Sequence, residues 1–297
     1  MPAHATQPND LLWPSLGLVL GGALWGFMWW PLRALEEMGL EGAWPATMML
    51  AGTLTLFLPF MLLRRKRLAA ALVPLALSGL FTGMAVSFYA VSIALTEVVR
   101  AILLFYLTPV WGTALGMAVL GERLTGLRIA AMAAGFAGLF VILGGEGLPL
   151  PRNLGDWLAL ASGIAWAFGS LAVYRLGGLG VGEQMAAFAV GGFGVTAFSV
   201  AIGGATFGGL PALATLAETA PWALLSGLYL LPVLFLTLWP ASLLTPGRVG
   251  LLLLSEVAVG VASAALLTDE PFGPREMLGT ALIIAAGAIA VMERPTH

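Results

Sequence analysis

The sequence predicts an all-α integral membrane protein, with ten transmembrane helices forming two inverted five-helix repeats around a central cavity. Three observations lead there: a composition suited to lipid, ten apolar runs of spanning length, and matches between the two halves of the chain.

Of the 297 residues, 60% are hydrophobic and 9% charged, and the mean hydropathy is +0.97. Soluble domains average about 25% charged residues, so lipid must solvate most of this chain. The net charge of −2 and the scattered Lys and Arg residues form no basic face, so no nucleic-acid partner is expected. Cysteine is absent, which excludes disulfides, thiolate metal sites and a catalytic thiol. The two histidines, His4 and His297, lie in the terminal tails, so no imidazole works inside the membrane. No metal or cofactor is expected. The opening "MPAHATQPND" has neither a positive n-region nor a small-residue cleavage site, and the first apolar run reads as a retained helix.

About 20 apolar residues cross the ~30 Å hydrocarbon layer as a helix. Charges, glycines and prolines divide the chain into ten such runs. The first, 12–32, opens beside Trp13; the second, 43–63, opens at Trp44 and stops at the basic run "RRKR" of 64–67. Runs 72–94, 99–120 and 126–144 complete the first half. In the second half, 155–175 starts beside Trp157, and 184–203 and 221–243 follow, the latter opening at Pro221 and Trp222. Runs 247–268 and 275–292 close the series. Tryptophans at span starts suit the membrane interface.

Placing "RRKR" in the cytoplasm puts both termini inside. Arg123, Arg128, Arg175, Arg248 and Arg294 then also fall inside, against Arg33, Arg100, Arg152 and Arg275 outside. The excess of inside charges agrees with that orientation.

The halves, 1–150 and 151–297, resemble each other. "ALWGFM" at 23–28 aligns with "AWAFGS" at 165–170 when Trp25 is matched to Trp166. "LSGLF" at 77–81 matches "LSGLY" at 225–229, an offset of 148 residues. The same offset pairs Arg100 with Arg248, Gly112 with Gly260 and Glu122 with Glu270. Five spans per repeat, an odd number, turn the second half upside down. Inverted repeats are a transporter signature, with the substrate site near the midplane between the halves.

"YLTPVWGTALGMAVLGERLT" (106–125) resembles the fourth-helix signature of the drug/metabolite transporter superfamily, EamA-like branch. "LSEVAVGVASAALLTDEPFG" (254–273) resembles its ninth-helix counterpart, which commonly reads Glu-Pro where this chain has Glu256–Val257. Within the family the chain looks most like bacterial aromatic amino acid exporters, with "LGGEG" at 143–147 and the "WAFGS" helix contributing. The resemblance implies a basket of helices in which the first, third and fourth of each repeat line a cavity. It also implies export of amino acids with large or aromatic neutral side chains across the bacterial inner membrane, or of other metabolites or cationic drugs.

Glu256 lies midway along the run 246–267, where Thr245 could cap and Pro246 open the helix. A charge at the bilayer centre costs at least ~2.5 kcal/mol, so such groups face a bundle interior or a water-filled cavity. Two roles follow: contact with a substrate ammonium group or a proton, or a hydrogen bond to another helix as structural glue. Ser255 adjoins it, and Thr108 holds the equivalent depth in the first half. Glu256, Gly260 and Ala264 share one face, as do Thr108, Gly112 and Gly116. Aromatic residues inside spans, namely Trp25, Tyr89, Tyr106, Trp166 and Trp239, could stack on a substrate, hold an ammonium, or simply pack. Pro109 and Pro232 are candidate hinges. Glu122 and Glu270 suit structural pairing with nearby arginines.

A membrane-embedded enzyme would need histidines in spans, a serine motif, paired aspartates or a metal cluster, and none is visible. No filter-like loop suggests a channel, and no GxxxxGK[ST] suggests an ATP-driven pump. The expected partners are a small-molecule substrate and membrane lipid. Small-residue stretches in the fifth and tenth spans, "AAGFAG" and "AAGAIA", would serve internal packing or an oligomer interface.

Overall fold

The computed structural model describes residues 11–96, 98–143, 150–176, 178–267 and 273–293. Within them the chain is helical and carries no strand. Among the described residues nine helical segments are long and apolar enough to cross a membrane, and a shorter one, Gly126–Ile142, makes ten. The protein is an all-α membrane protein.

In chain order, the first span is α1 (Leu12–Gly26) and α2 (Trp29–Glu37), and the second is α3 (Trp44–Leu63). The short basic α4 (Arg65–Ala70) leads to α5 (Leu72–Leu95), the third span. The fourth combines α6 (Val98–Phe105), α7 (Thr108–Leu115) and a π-helical turn at Gly116–Leu120; the fifth is α8 (Gly126–Leu143). Spans six to eight are α9 (Leu154–Arg175), α10 (Val181–Gly203) and α11 (Leu213–Ala241). The ninth combines α12 (Pro246–Leu252) and α13 (Ser255–Leu267), and the tenth is α14 (Pro274–Met292).

Three expectations need correction. The first, fourth and ninth runs are interrupted, at Phe27–Met28, Tyr106–Leu107 and Leu253–Leu254. The eighth helix starts at Leu213 rather than 221, because Pro221 removes only one donor and the turns before it still close. Thr245 precedes α12 in extended conformation but makes no side-chain cap. Trp44 opens α3, with its indole N–H donating to the Gly209 carbonyl. Trp13, Trp157 and Trp222 are exposed, as interfacial indoles should be.

Local signals explain several ends. Asn153 Oδ1 accepts from Asp156 N at 2.9 Å and caps α9. Pro274 opens α14, and Glu276 reaches back to Gly273 N at 2.8 Å. Arg275 donates to the Val141 and Ile142 carbonyls at 2.7 and 3.0 Å, closing the end of α8.

The most extensive helix packing is preserved when each span is exchanged for its counterpart five spans away. Helix α5 packs on α9, as α11 packs on α1. Helix α3 packs on α11, as α5 packs on α10; α6 and α7 lie on α9, as α13 lies on α1. The remaining close pairs, α3 with α10, α7 with α12 and α8 with α14, join counterparts or their parts. Other pairs depart from the pattern: α10 packs on α11, α2 on α3, α12 on α9 and α7 on α12, each without a counterpart of similar extent. Exchange turns α7–α12 into α13–α6, and α6 and α13 are not closely packed.

Lipid tails are as apolar as leucine, so close packing rather than hydrophobicity must hold these helices together. Gly79 and Gly227, the matched glycines of the two "LSGL" segments, lie at equivalent crossings. A Cβ on Gly79 would stand 2.3 Å from the Ala187 carbonyl, and one on Gly227 2.4 Å from Thr53 N. The small residues of the fifth and tenth spans divide: a Cβ on Gly138 would meet the Gly279 carbonyl at 2.6 Å, and Ala286 and Ala290 are buried, whereas Gly287 faces open space.

Candidate functional site

The interruptions of the fourth and ninth spans build the site. Pro109 has no N–H to offer the Phe105 carbonyl, and Thr108 Oγ1 donates to that carbonyl instead at 2.5 Å. In the ninth span Glu256 N turns to the Leu253 carbonyl at 3.0 Å, in place of the Leu252 carbonyl a regular helix would use. Ser255 Oγ then donates to Leu252 O at 2.9 Å, and also to Val19 O of α1 at 3.0 Å. The two halves therefore use one device, a hydroxyl that satisfies the carbonyl released by a tightened turn. Val257 stands where the offset from Pro109 falls, so the ninth span turns without a proline.

Glu256 thus sits in the first turn of α13. Three neighbours surround it. Helix α1 comes close enough that a Cβ on Gly26 would stand 2.5 Å from the Glu256 carbonyl oxygen. From α5 and α6–α7, Tyr89 and Tyr106 stand within electrostatic reach of its carboxyl group. The Tyr106 hydroxyl is directed at that carboxyl, but it is buried without a partner in regular hydrogen-bond geometry. Phe105 joins the two tyrosines: ring centroids are 4.8 Å from Tyr89 to Phe105 and 5.1 Å from Phe105 to Tyr106. Glu256 and Tyr89 are half-buried although helices surround them.

The other candidates occupy different places. Trp25 is half-buried and donates from Nε1 to Thr237 Oγ1 at 2.9 Å, tying α1 to α11. Its counterpart Trp166 is buried, and its Nε1 has no partner. The Thr108 hydroxyl, buried against Phe105 O and Gly163 O, is occupied by backbone. Trp239 stacks on Phe235 with centroids 6.0 Å apart and covers Gly17, while Ser255 and Glu256 meet α1 at Gly22 and Gly26. Pro109 opens α7 directly after the interruption, and Pro232 lies exposed in the unbroken α11. Phe105 and Gly26 were not anticipated; the adjacency "FY" at 105–106 was the available hint. Glu270 lies outside the described residues, as do His4, His297 and most of "LGGEG".

Each end of the bundle carries its own polar cluster. At one end Arg128 pairs with Glu122 at 2.9 Å and Glu293 at 3.0 Å, joining spans four, five and ten. Gly116 permits this, because a Cβ there would strike the Glu122 carboxylate. Arg248 of α12 adds bonds to the Glu293 and Val291 carbonyls and to Ser15 Oγ of α1 at 3.0 Å. At the other end Arg100 pairs with the fully buried Asp156, which also accepts from Thr96 Oγ1 at 2.6 Å. The offset of 148 relates Arg100 to Arg248. The offset of 141 that aligns Trp25 with Trp166 also relates Ser15 to Asp156. The two arginines thus reach for equivalent positions of equivalent helices.

Fold and site together define a multi-pass all-α membrane protein with an acid and aromatic side chains near its interrupted fourth and ninth spans. Residues 12–144 match the EamA-like transporter family. That match supports the drug/metabolite transporter superfamily, whose members are transporters rather than enzymes, and so a membrane transporter acting on a small molecule. No curated protein matches the chain. A solved structure described as "Crystal structure of protein" is similar in fold: the TM-score is 0.70 at 18% identity, over 95% of this chain and 96% of the other.

Proposed function

We propose that the chain is a secondary transporter that exports amino acids with large or aromatic neutral side chains across a bacterial inner membrane by alternating access. Its repeats are 1–150 and 151–297, inverted in the membrane, with both termini cytoplasmic. The exchange pattern of helix packing supports that division. The end bearing Arg128 and Arg248 is the cytoplasmic one. There α7 packs on α12, while their counterparts α13 and α6 stand apart toward the outside. A transporter caught open to one side has this asymmetry.

The observation that carries the reading is Glu256, an acid at an interrupted helix, half-buried between the halves beside Tyr89 and Tyr106. An intramembrane carboxylate in such a position marks a pathway. Purified protein in liposomes should accelerate efflux of phenylalanine, tryptophan and leucine. If it accelerates no flux across a broad amino acid panel, the reading is wrong. Glu256→Gln should lower that flux about tenfold or more, the loss expected for one charge-assisted contact of ~1.5–3 kcal/mol. Unchanged flux at every pH would reduce Glu256 to a packing residue.

A further inference from the structure

The run "RRKR" of 64–67 sets four consecutive bases where the second span ends, between α3 and α5. All four are exposed, and among the described residues none of them forms an ion pair with an acid. Arg64 is anchored, with its Cζ 5.9 Å from the centroid of the Phe60 ring. That ring in turn packs on the first turn of α10, where a Cβ on Gly182 would stand 2.5 Å from Phe60 Cζ. Glu183, beside Gly182, is buried and pairs with none of the four.

The turn itself does not require these charges. Its repeat counterpart, the connection from α10 to α11, reads "GATFGGLPA" at 204–212 and carries no charged side chain. Bases that only direct insertion of a chain need no particular folded surroundings. These have them, for they line an open cleft of about 540 Å³ together with Leu62 and Leu63. The two leucines are 61% and 86% exposed, and Leu72 and Val73 at the start of α5 are 65% and 70% exposed. Unpaired cations therefore stand directly beside bare apolar side chains at the edge of the membrane span.

We infer that Arg65, Lys66 and Arg67, with Arg64 behind them, bind the phosphate headgroup of an anionic phospholipid whose acyl chains lie along Leu62, Leu63, Leu72 and Val73. The guanidinium and ammonium groups donate to the phosphate oxygens, and each base adds about fivefold to the affinity. The acyl chains cover the leucines and Val73, which a soluble phosphate cannot do. The site is independent of the transported cargo.

Lys66 is the only lysine of the chain, so an amine-reactive reagent reports on this cleft, with the N-terminal amine as internal reference. The test labels the purified full chain in neutral detergent with added phosphatidylglycerol, phosphatidylcholine or glycerol phosphate. Saturating phosphatidylglycerol should slow labelling of Lys66 about fivefold or more relative to the reference, and high salt should reverse the protection. Phosphatidylcholine and glycerol phosphate should leave the rate unchanged. Arg65→Gln and Arg67→Gln, which keep Arg64 and Lys66, should each raise the lipid concentration for half-protection about fivefold. Arg33→Gln, before the opposite end of α3, should not change it. The inference is overturned if phosphatidylglycerol gives no protection, if phosphatidylcholine or glycerol phosphate protects equally, or if neither Arg65→Gln nor Arg67→Gln shifts the midpoint.

Discussion

Arg128→Met will destabilise the protein by about 3–5 kcal/mol, the cost of breaking a buried ion pair from one side. The side chain is 5% exposed, and its guanidinium meets Glu293 through Nε at 3.0 and 3.2 Å and Glu122 through Nη1 at 2.9 Å. Methionine fills much of the space but leaves two buried carboxylates with no cation between them. Thr125 Oγ1, 2.8 Å from Glu293 Oε1, and the Arg248 bonds to the Glu293 and Val291 carbonyls cannot supply the missing charge at Glu122. Thermal unfolding in detergent is the measurement. Arg128→Met with Glu293→Gln should recover part of the loss, since one of the stranded charges is gone. Arg33→Met is the control. Its 3.4 Å pair with Glu37 is exposed on both sides, and an exposed pair contributes only about 0–1 kcal/mol. Equal effects at Arg33 and Arg128 would mean that the buried cluster adds nothing to stability.

The number and order of the spans were legible because the hydrocarbon thickness imposes a length on every apolar run. Their interruptions were not. At Leu253–Leu254 the helix tightens inside a run of leucines, with no proline or glycine to mark the place, and only the switched bond of Glu256 N reveals it. Pro109 did mark the equivalent place in the first half, yet its effect is to release a carbonyl that Thr108 then takes, which a pattern of residue types cannot show. Depth along a span was also readable, but facing was not. Trp239 and Trp25 both lie within spans, and packing sends one to Gly17 and the other to Thr237. Tyr89 and Tyr106 could be named as aromatic candidates, whereas their meeting at Glu256 depends on how the two halves cross. The matched arginines were visible at one offset. Their partners Ser15 and Asp156 align only at the other, because the second half is longer between its first and third spans than the first half is, which shifts the register within the repeats.

Gly79→Val and Gly227→Val will each destabilise the bundle by about 3 kcal/mol or more, at or above the upper end of ordinary overpacking. The reason is the identity of the obstructing atoms. A Cβ at Gly79 meets the Ala187 carbonyl at 2.3 Å, and the neighbouring Gly191 is itself pressed against the Gly79 carbonyl, 1.9 Å from where its own Cβ would stand. At Gly227 the obstacles are Thr53 N at 2.4 Å and the Gly52 carbonyl carbon at 2.5 Å. Backbone cannot rotate aside as a side chain can, so α5 must move off α10, or α11 off α3. In a bilayer the separated helices regain contact with lipid, and no hydrophobic force drives them back. Thermal unfolding in detergent and retention of a monodisperse species measure the effect. Gly194→Val, in open space on the exposed face of α10, should stay within about 1 kcal/mol of the parent. The comparison between the two glycines carries more than either value. Because they are repeat counterparts at exchanged crossings, a twofold-related bundle should lose similar amounts at each. If only one of them matters, the two crossings differ in rigidity, and the helices at the tolerant crossing are the ones free to move during a transport cycle.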